Sequence, residues 1–497
     1  VEIHSADEAW IQANYYAHRD GLAHYYEGYI RHYDANLDIS ALATRVVQGE
    51  NMLRQTTETI RRNWRPAETT SVRGLGNWTK NYVSPDQWER MIALYSDHTF
   101  DASSRLVLWD DAPAILAVLM DKSRLTRDDS RLMLAWSLIH RLLHLAHGGE
   151  LIREAEKPGL GTLDAVTEFC YKKVTDIMAL AVTKQYLSKH VPPSALDSGE
   201  QVFKNVLGVL VDKLKNTAWF KDPVRNVSLL KMDTLRLTFG YPKGLSYGST
   251  IEALFADFPD VGNTFLTPYL ESLRVLTHRA VRGNSTENFK AAHIDAEYKP
   301  QDNSITITAG MLLPPIFILD APAAMNYGGF GQIIGHEMMH AYDIRGIKLT
   351  HEGRRADYGV TDTMKEYERK VLCLRASYQK AESDSRARTL DQTIDSEGFA
   401  DFTGIMLAHK AYRQLPDDER SRGVPGVALS ARQSFFVAHC IKWCSADKVN
   451  KTRTFRGAYW HSRSRCIVPL QNMPAFAKAF SCKPGDYMNP ANRCDFW

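Results

Sequence analysis

A mainly α-helical protein with a small β-sheet, folded as two domains, is what this sequence predicts. Three observations carry that expectation. The chain has 497 residues, more than one ordinary domain holds. Residues 7 to 65 and 112 to 147 show helical periodicity with little Gly or Pro. Ser304-Ile305-Thr306-Ile307-Thr308 alternates with period two, as a half-buried strand does.

Taken in order, the first 280 residues read mostly as helix. Pro192-Pro193 interrupts them before a further helical stretch, and Phe239-Gly240-Tyr241-Pro242 marks a stop. After residue 285 the texture changes: Pro300-Gln301-Asp302-Asn303 reads as a turn leading into the strand. One boundary is therefore expected between 275 and 290, separating a helical lobe (1–284) from a second domain (285–497). His140 and His144 stand at i and i+4, with His147 beyond, but no carboxylate lies between the first two to act as a base. That helix reads as a core element.

Apolar content of 44% and charged content of 24% are ordinary globular values. A net charge of +3 predicts no nucleic-acid partner and no strong membrane attraction. No run reaches the length of a transmembrane helix, and Val1-Glu2-Ile3-His4 does not open a signal peptide. Four sequons, at Asn77, Asn226, Asn284 and Asn450, fit passage through a secretory route.

The chemistry is concentrated in Gly335-His336-Glu337-Met338-Met339-His340. On a helix, positions i and i+4 share a face, so His336 and His340 can point imidazole nitrogens at one metal ion. Glu337 can reach the water such an ion carries. Two ligands and a general base make the HExxH zinc-hydrolase pattern. Met338 and Met339 read as packing residues. A catalytic zinc needs a third protein ligand. Asp395-Ser396-Glu397-Gly398-Phe399-Ala400-Asp401 opens a second helix, and Glu397 and Asp401 again share a face. One of them can ligate the metal. The other can accept a hydrogen bond from a ligating His and fix its tautomer. The bland alternative is an acidic first turn answering the helix dipole. Spacing narrows the class: where a metzincin has its Gly and third His, this chain has Asp343 and Gly346. The stretch where thermolysin-like enzymes carry their Glu ligand holds Asp357, Gly359 and Asp362.

Several motifs in order resemble the neprilysin/endothelin-converting-enzyme family of zinc metallopeptidases. Asp295-Ala296-Glu297-Tyr298 resembles that family's Asn-Ala-x-Tyr. Ala309-Gly310-Met311-Leu312-Leu313-Pro314-Pro315-Ile316-Phe317 resembles AGxLxPPFF. Asn326-Tyr327-Gly328-Gly329-Phe330-Gly331 leads into HExxH as it does there. Glu397 to Asp401 matches ExxAD, and Met488-Asn489-Pro490 through Cys494 to Trp497 resembles the family C-terminus. The likeness runs from about residue 160 to the end, and upstream it is one of helical content only.

That resemblance implies a two-lobed zincin: a helical lobe, and a catalytic lobe with a small mixed sheet. It implies one Zn²⁺ held by His336, His340 and Glu397, with Glu337 as base and Asp401 behind a ligand. It gives His461 the role of oxyanion donor and Arg465, with Arg463 as rival, that of gathering the substrate backbone. Asp295 and Ala296 would bind peptide along a strand edge, as an added strand. It pairs Cys373 with Cys494. Cys170, Cys444 and Cys482 match cysteines whose partners lie in a segment preceding the matched region, so the chain is expected to be a fragment, a processed chain or a truncated product. Cys440 and Cys466 have no family counterpart and can pair with each other. The implied activity is zinc endopeptidase cleavage of small extracellular peptides, by a secreted protein or an ectodomain. The competing expectation is a catalytically impaired homologue that binds a peptide or partner. The missing N-terminal segment, the orphaned cysteines and two departures favour it: Asp295 for the family Asn and Tyr459 for an Asp two residues before His461; Gly398 stands where the family has an Asn after Glu397.

Overall fold

The computed structural model describes residues 21–63, 68–94, 101, 103–108, 112–147, 162–241, 248–281, 289–356, 358–359, 361–382, 393–444 and 459–497. It is mostly helical, and the chain divides into two compact units. The division differs from the single boundary expected near residue 284. One unit draws on Val1–Val182 and Tyr247–Phe289, the other on Thr183–Ser246 and Lys290–Trp497. The reason lies in residues 183–246. They read as more of the helical half, but they contribute two helices and a strand to the second unit.

In the first unit, helices Leu22–Tyr33, Ile39–Asn63 and Arg127–His147 share a core of Tyr26, Tyr29, Val46 and Trp136. A buried carboxylate in that core, Glu50, accepts from Tyr26 Oη at 2.6 Å and Trp136 Nε1 at 2.9 Å, so its burial is compensated by donors. His140 is buried here, with Nδ1 2.9 Å from the Trp136 carbonyl. That places it in the core, as its helix reads from sequence. The His144 and His147 side chains lie outside the described ones. An antiparallel ribbon, Glu68–Ser71 with Arg105–Leu108, was not legible in a stretch that reads as helical. Each strand has only four residues, too few for a period to declare itself.

The second unit begins with α1 (Pro193–Asn216), whose first residue is a proline and whose Val202, Phe203, Val206, Val209, Leu210 and Leu214 are buried. That is the stripe an amphipathic helix buries. Then follow α2 (Val224–Asp233) and β1 (Arg236–Gly240). β2 (Ala296–Lys299) and β3 (Ser304–Thr308, the expected strand) form a hairpin across the expected turn, with Ile305 and Ile307 fully buried. β3 is central: β1 pairs with it in parallel and β2 antiparallel, so the sheet is small and mixed. A π-helical turn (Tyr327–Gly331) leads into α3 (Gln332–His340). α4 (Asp362–Glu382), α5 (Ile394–Arg413), α6 (Ala431–Ile441) and α7 (Ser462–Gln471) complete the frame. Ser430 caps α6 in a reciprocal box with Gln433.

Two disulfides lie within this unit. Cys373 on α4 is bonded to Cys494, as the resemblance implies, and Cys440 on α6 to Cys466 on α7. The first holds the C-terminal segment where Phe496 packs against Phe399 of α5 at 4.9 Å and accepts, through its carbonyl, from Trp219 Nε1 at 3.0 Å. Opening it with the Cys373→Ser/Cys494→Ser pair releases a 121-residue loop. In the chain-entropy model that costs about 4 to 5 kcal/mol. Denaturant unfolding under non-reducing conditions measures it, and a change within error of zero refutes the estimate. Cys170, Cys444 and Cys482 are not disulfide-bonded. Among the described residues no helix is long and apolar enough to cross a membrane. Asn77 and Asn226 are exposed, while Asn284 and Asn450 lie outside the described residues.

Candidate metal centre

α3 and α5 cross backbone to backbone. A Cβ on Gly335 would stand 2.5 Å from the Gly404 carbonyl, and one on Gly404 would stand 2.5 Å from the His336 nitrogen. Only glycine on both helices permits that approach, and it brings the two same-face pairs read from sequence together.

The result is a convergent donor set. His336 Nε2 lies 3.0 Å from His340 Nε2 and 3.3 Å from Glu397 Oε2, and His340 Nε2 lies 3.7 Å from Glu397 Oε1. Ligands of a tetrahedral zinc, at about 2.0–2.1 Å from the ion, stand about 3.3 Å apart. The other ring nitrogens are engaged: His336 Nδ1 lies 2.9 Å from Asp401 Oδ1, and His340 Nδ1 2.9 Å from Asp343 Oδ2. An imidazole that donates from Nδ1 presents a lone pair at Nε2. Two lone pairs and a carboxylate facing one another call for a cation, so the residues fit a divalent metal. Burial lowers the His336 pKa, but Asp401 and then Glu397 outweigh it and lift it to about 10.

Glu337 is placed as a base would be. Oε1 is 4.0 Å from His336 Nε2, and Oε2 accepts from the Tyr298 N–H at 2.9 Å. Burial raises its carboxyl above the ordinary value, against the pull of His336 and His340. The Tyr298 contact also defines an edge. The Thr308 N–H donates to the Asp295 carbonyl at 3.1 Å, so Asp295 faces β3. In an antiparallel strand successive residues alternate in the direction of their backbone groups. Ala296 and Tyr298 therefore face away from β3, toward the donor set.

Behind the set, Asp401 is fully buried and takes two hydrogen bonds from Arg465, Nε to Oδ2 at 2.6 Å and Nη2 to Oδ1 at 2.9 Å. Burial alone would raise the Asp401 carboxyl; Arg465 and His336 overcome it and hold the group well below the usual carboxylate range. The contribution of this pair to folding is therefore complete above the unfolded Asp value of about 3.9 and fades only as pH falls below it. Asp401→Asn keeps the shape, leaves the Arg465 charge with only the 3.8 Å contact to Glu397 and offers His336 an amide. An uncompensated buried charge costs about 3 to 5 kcal/mol, and metal affinity drops by roughly 10- to 100-fold. Thermal melts and metal titration read both effects; an unchanged affinity would remove Asp401 from the site.

A cavity of about 360 Å³ opens on this set, lined by Ala296, Tyr298, His336, Glu337, His340 and Glu397 among others. Not every predicted residue reaches it. Of the rivals Arg463 and Arg465, it is Arg465 that is buried at the site, but it sits behind the set against Asp401. Asp295 is exposed, and His461 is 64% exposed in its side chain with its backbone N–H held by Glu382 at 2.8 Å. Neither lines the cavity. Tyr459 does. Gly398 has a packing reason: a Cβ there would meet Trp460 Nε1 and Tyr378 Cε2 at 2.9 Å, so an Asn has no room. Two contributors went unread in the sequence. Asp343 was legible in principle, one turn beyond His340 on the same face. Lys231 was not. It is buried on α2, and burial pushes its ammonium down to about 7. Its Nζ donates to the Ala341 and Gly346 carbonyls just beyond α3.

Two family models described as peptidase family M13 match residues 3–242 and 295–496. The chain belongs to peptidase family M13. Among curated relatives, neprilysin-2 of Caenorhabditis elegans is 28% identical over 342 residues, 66% of this chain and 46% of that protein. Human endothelin-converting enzyme 1 is 22% identical over 339 residues, 66% of this chain and 44% of that protein. The M13 chain thus spans about half the length of the curated relatives it matches. Its fold matches PepO of Lactobacillus rhamnosis HN001 with a TM-score of 0.68 at 20% identity, covering 98% of this chain and 75% of that one. It also matches the zinc metalloprotease Zmp1 of Mycobacterium tuberculosis, solved with an inhibitor, with a TM-score of 0.69 at 19% identity, covering 100% and 77%.

Proposed function

We propose that this M13 chain is a zinc-dependent endopeptidase acting on small extracellular peptides, with His336, His340 and Glu397 holding one Zn²⁺. The observation that carries the reading is the convergence of His336 Nε2, His340 Nε2 and Glu397 within 3.0 to 3.7 Å of one another, with the Glu337 carboxyl beside them. Zinc, when bound, supplies Lewis acidity that polarises a carbonyl and acidifies water. The rest is the work of the chain. The outward edge of Ala296, with the Tyr298 carbonyl, pairs with an extended peptide and aligns its scissile bond over Glu337, which the Tyr298 N–H holds. Glu337, raised by burial, takes a proton from the attacking water and returns it to the departing amine. Asp401 and Asp343 hold the two imidazoles in one tautomer. Arg465 keeps Asp401 ionised. Two disulfides and exposed sequon asparagines at Asn77 and Asn226 support an extracellular setting.

The test is a quenched-peptide library offered to the zinc-loaded chain with and without a chelator. Cleavage that the chelator stops and zinc restores is expected. A chain that holds zinc and cuts no peptide reverses the reading in favour of a peptide- or partner-binding homologue.

A further inference from the structure

Peptide hydrolysis places negative charge on the scissile oxygen, and a donor must meet it inside the cavity. His461, the donor implied by resemblance, is not among the cavity's lining residues; its side chain is 64% exposed and its Nε2 lies 4.0 Å from Glu382 Oε2. Tyr459, two residues earlier, lines the same cavity as His336, Glu337, His340 and Glu397. We propose that Tyr459 is the oxyanion donor of this enzyme, its phenol hydrogen-bonding the developing negative oxygen in place of His461; the assignment rests on the peptidase reading above.

The geometry holds the ring for that task. The Arg465 guanidinium carbon lies 4.6 Å from the Tyr459 ring centroid and 4.1 Å from that of Trp443. Arg465 is itself pinned by two hydrogen bonds to Asp401, whose other contact orients His336. One buried ion pair therefore fixes both a metal-binding imidazole and the phenol ring. A cation against the ring face is attractive and costs no water-exposed charge. Burial, with Glu397 and Glu337 adding to it, pushes the phenol up to about 12. The hydroxyl is therefore protonated, and able to donate, across the neutral range. The proton stays on the phenol throughout: the role is a hydrogen bond, not a transfer. Arg345 also lines the cavity and is exposed; Tyr459, 38% exposed, is the lining residue whose ring the Asp401-bound Arg465 guanidinium holds.

The experiment compares Tyr459→Phe, His461→Ala and Arg345→Gln with the parent, all zinc-loaded and checked for metal content. Each is measured for kcat and KM on one quenched peptide. Each is also measured by calorimetry for affinity toward a phosphinic peptide, which carries the transition-state oxygen, and toward the cleavage product, which does not. Tyr459→Phe removes one oxygen and retains the ring that Arg465 holds. It is expected to lower kcat by roughly 10²- to 10³-fold, the usual cost of one oxyanion donor. KM and product affinity stay near the parent values, and phosphinic-peptide affinity falls in step with kcat. His461→Ala and Arg345→Gln are expected to retain most of the parent kcat. A Tyr459→Phe enzyme with parent-like kcat and phosphinic affinity overturns the assignment, as does a loss of that size in His461→Ala or Arg345→Gln instead. A parent chain that loads zinc, cuts nothing and binds no phosphinic peptide overturns the peptidase reading itself, and the donor role with it.

Discussion

Replacing Glu337 with Gln is expected to abolish peptide hydrolysis while leaving zinc and peptide in place. The two side chains have nearly the same shape, and the amide oxygen of Gln can still accept from the Tyr298 N–H that Glu337 Oε2 holds at 2.9 Å. The edge of β2 therefore keeps its position. The proposed metal set, His336, His340 and Glu397, is untouched as well. What the amide lacks is a lone pair basic enough to take a proton from water. Loss of a general base costs roughly 10²- to 10⁴-fold, on the order of 3 to 5 kcal/mol in the barrier. The comparison is parent against Glu337→Gln on one quenched peptide, with metal content measured on both. Equal cleavage would mean that the activity belongs to a contaminant or another site. A variant that loses its metal would mean that Glu337 is a ligand rather than a base.

The parts of this site that could be read from sequence are those fixed by local periodicity. HExxH and Glu397-to-Asp401 each place two side chains on one helical face, and the structure brings the two faces together. The strand at 304–308 was legible for the same reason, as its two isoleucines alternate into the core. What escaped depends on contacts distant in sequence. Residues 183–246 read as a continuation of the helical half, because α1 has the same period whichever core it joins. Lys231 supports the end of α3 from more than a hundred positions away, and no spacing rule announces it. The assignment of His461 followed a family motif, yet exposure is not written in a motif: Glu382 holds its backbone on the outside, and Tyr459 faces the cavity.

Replacing Glu397 with Ala is expected to cost the metal. Two imidazoles remain, and two nitrogen ligands with water in the other positions make a weak zinc site. Substituting partners outside the ligand set typically weakens binding 10- to 100-fold, so removing a ligand costs at least about 10²-fold. Each factor of 100 in affinity removes about 2.7 kcal/mol of the stabilisation that excess zinc gives the folded chain. The shift on adding zinc should therefore be large in the parent and small in the variant. The protein itself should still fold. Besides the two histidines, Glu397 makes a 3.8 Å contact with Arg465, whose charge stays paired with Asp401 at 2.6 Å, and the α3–α5 crossing is set by Gly335 and Gly404. Hence the melting temperature in chelator should change little, while the increment on adding zinc collapses. Metal content after dialysis, together with melts in chelator and in zinc, separates the two effects. A variant that keeps one zinc per chain and the full increment would show that the third ligand is another residue, and the coordination set drawn from these two helices would have to be redrawn.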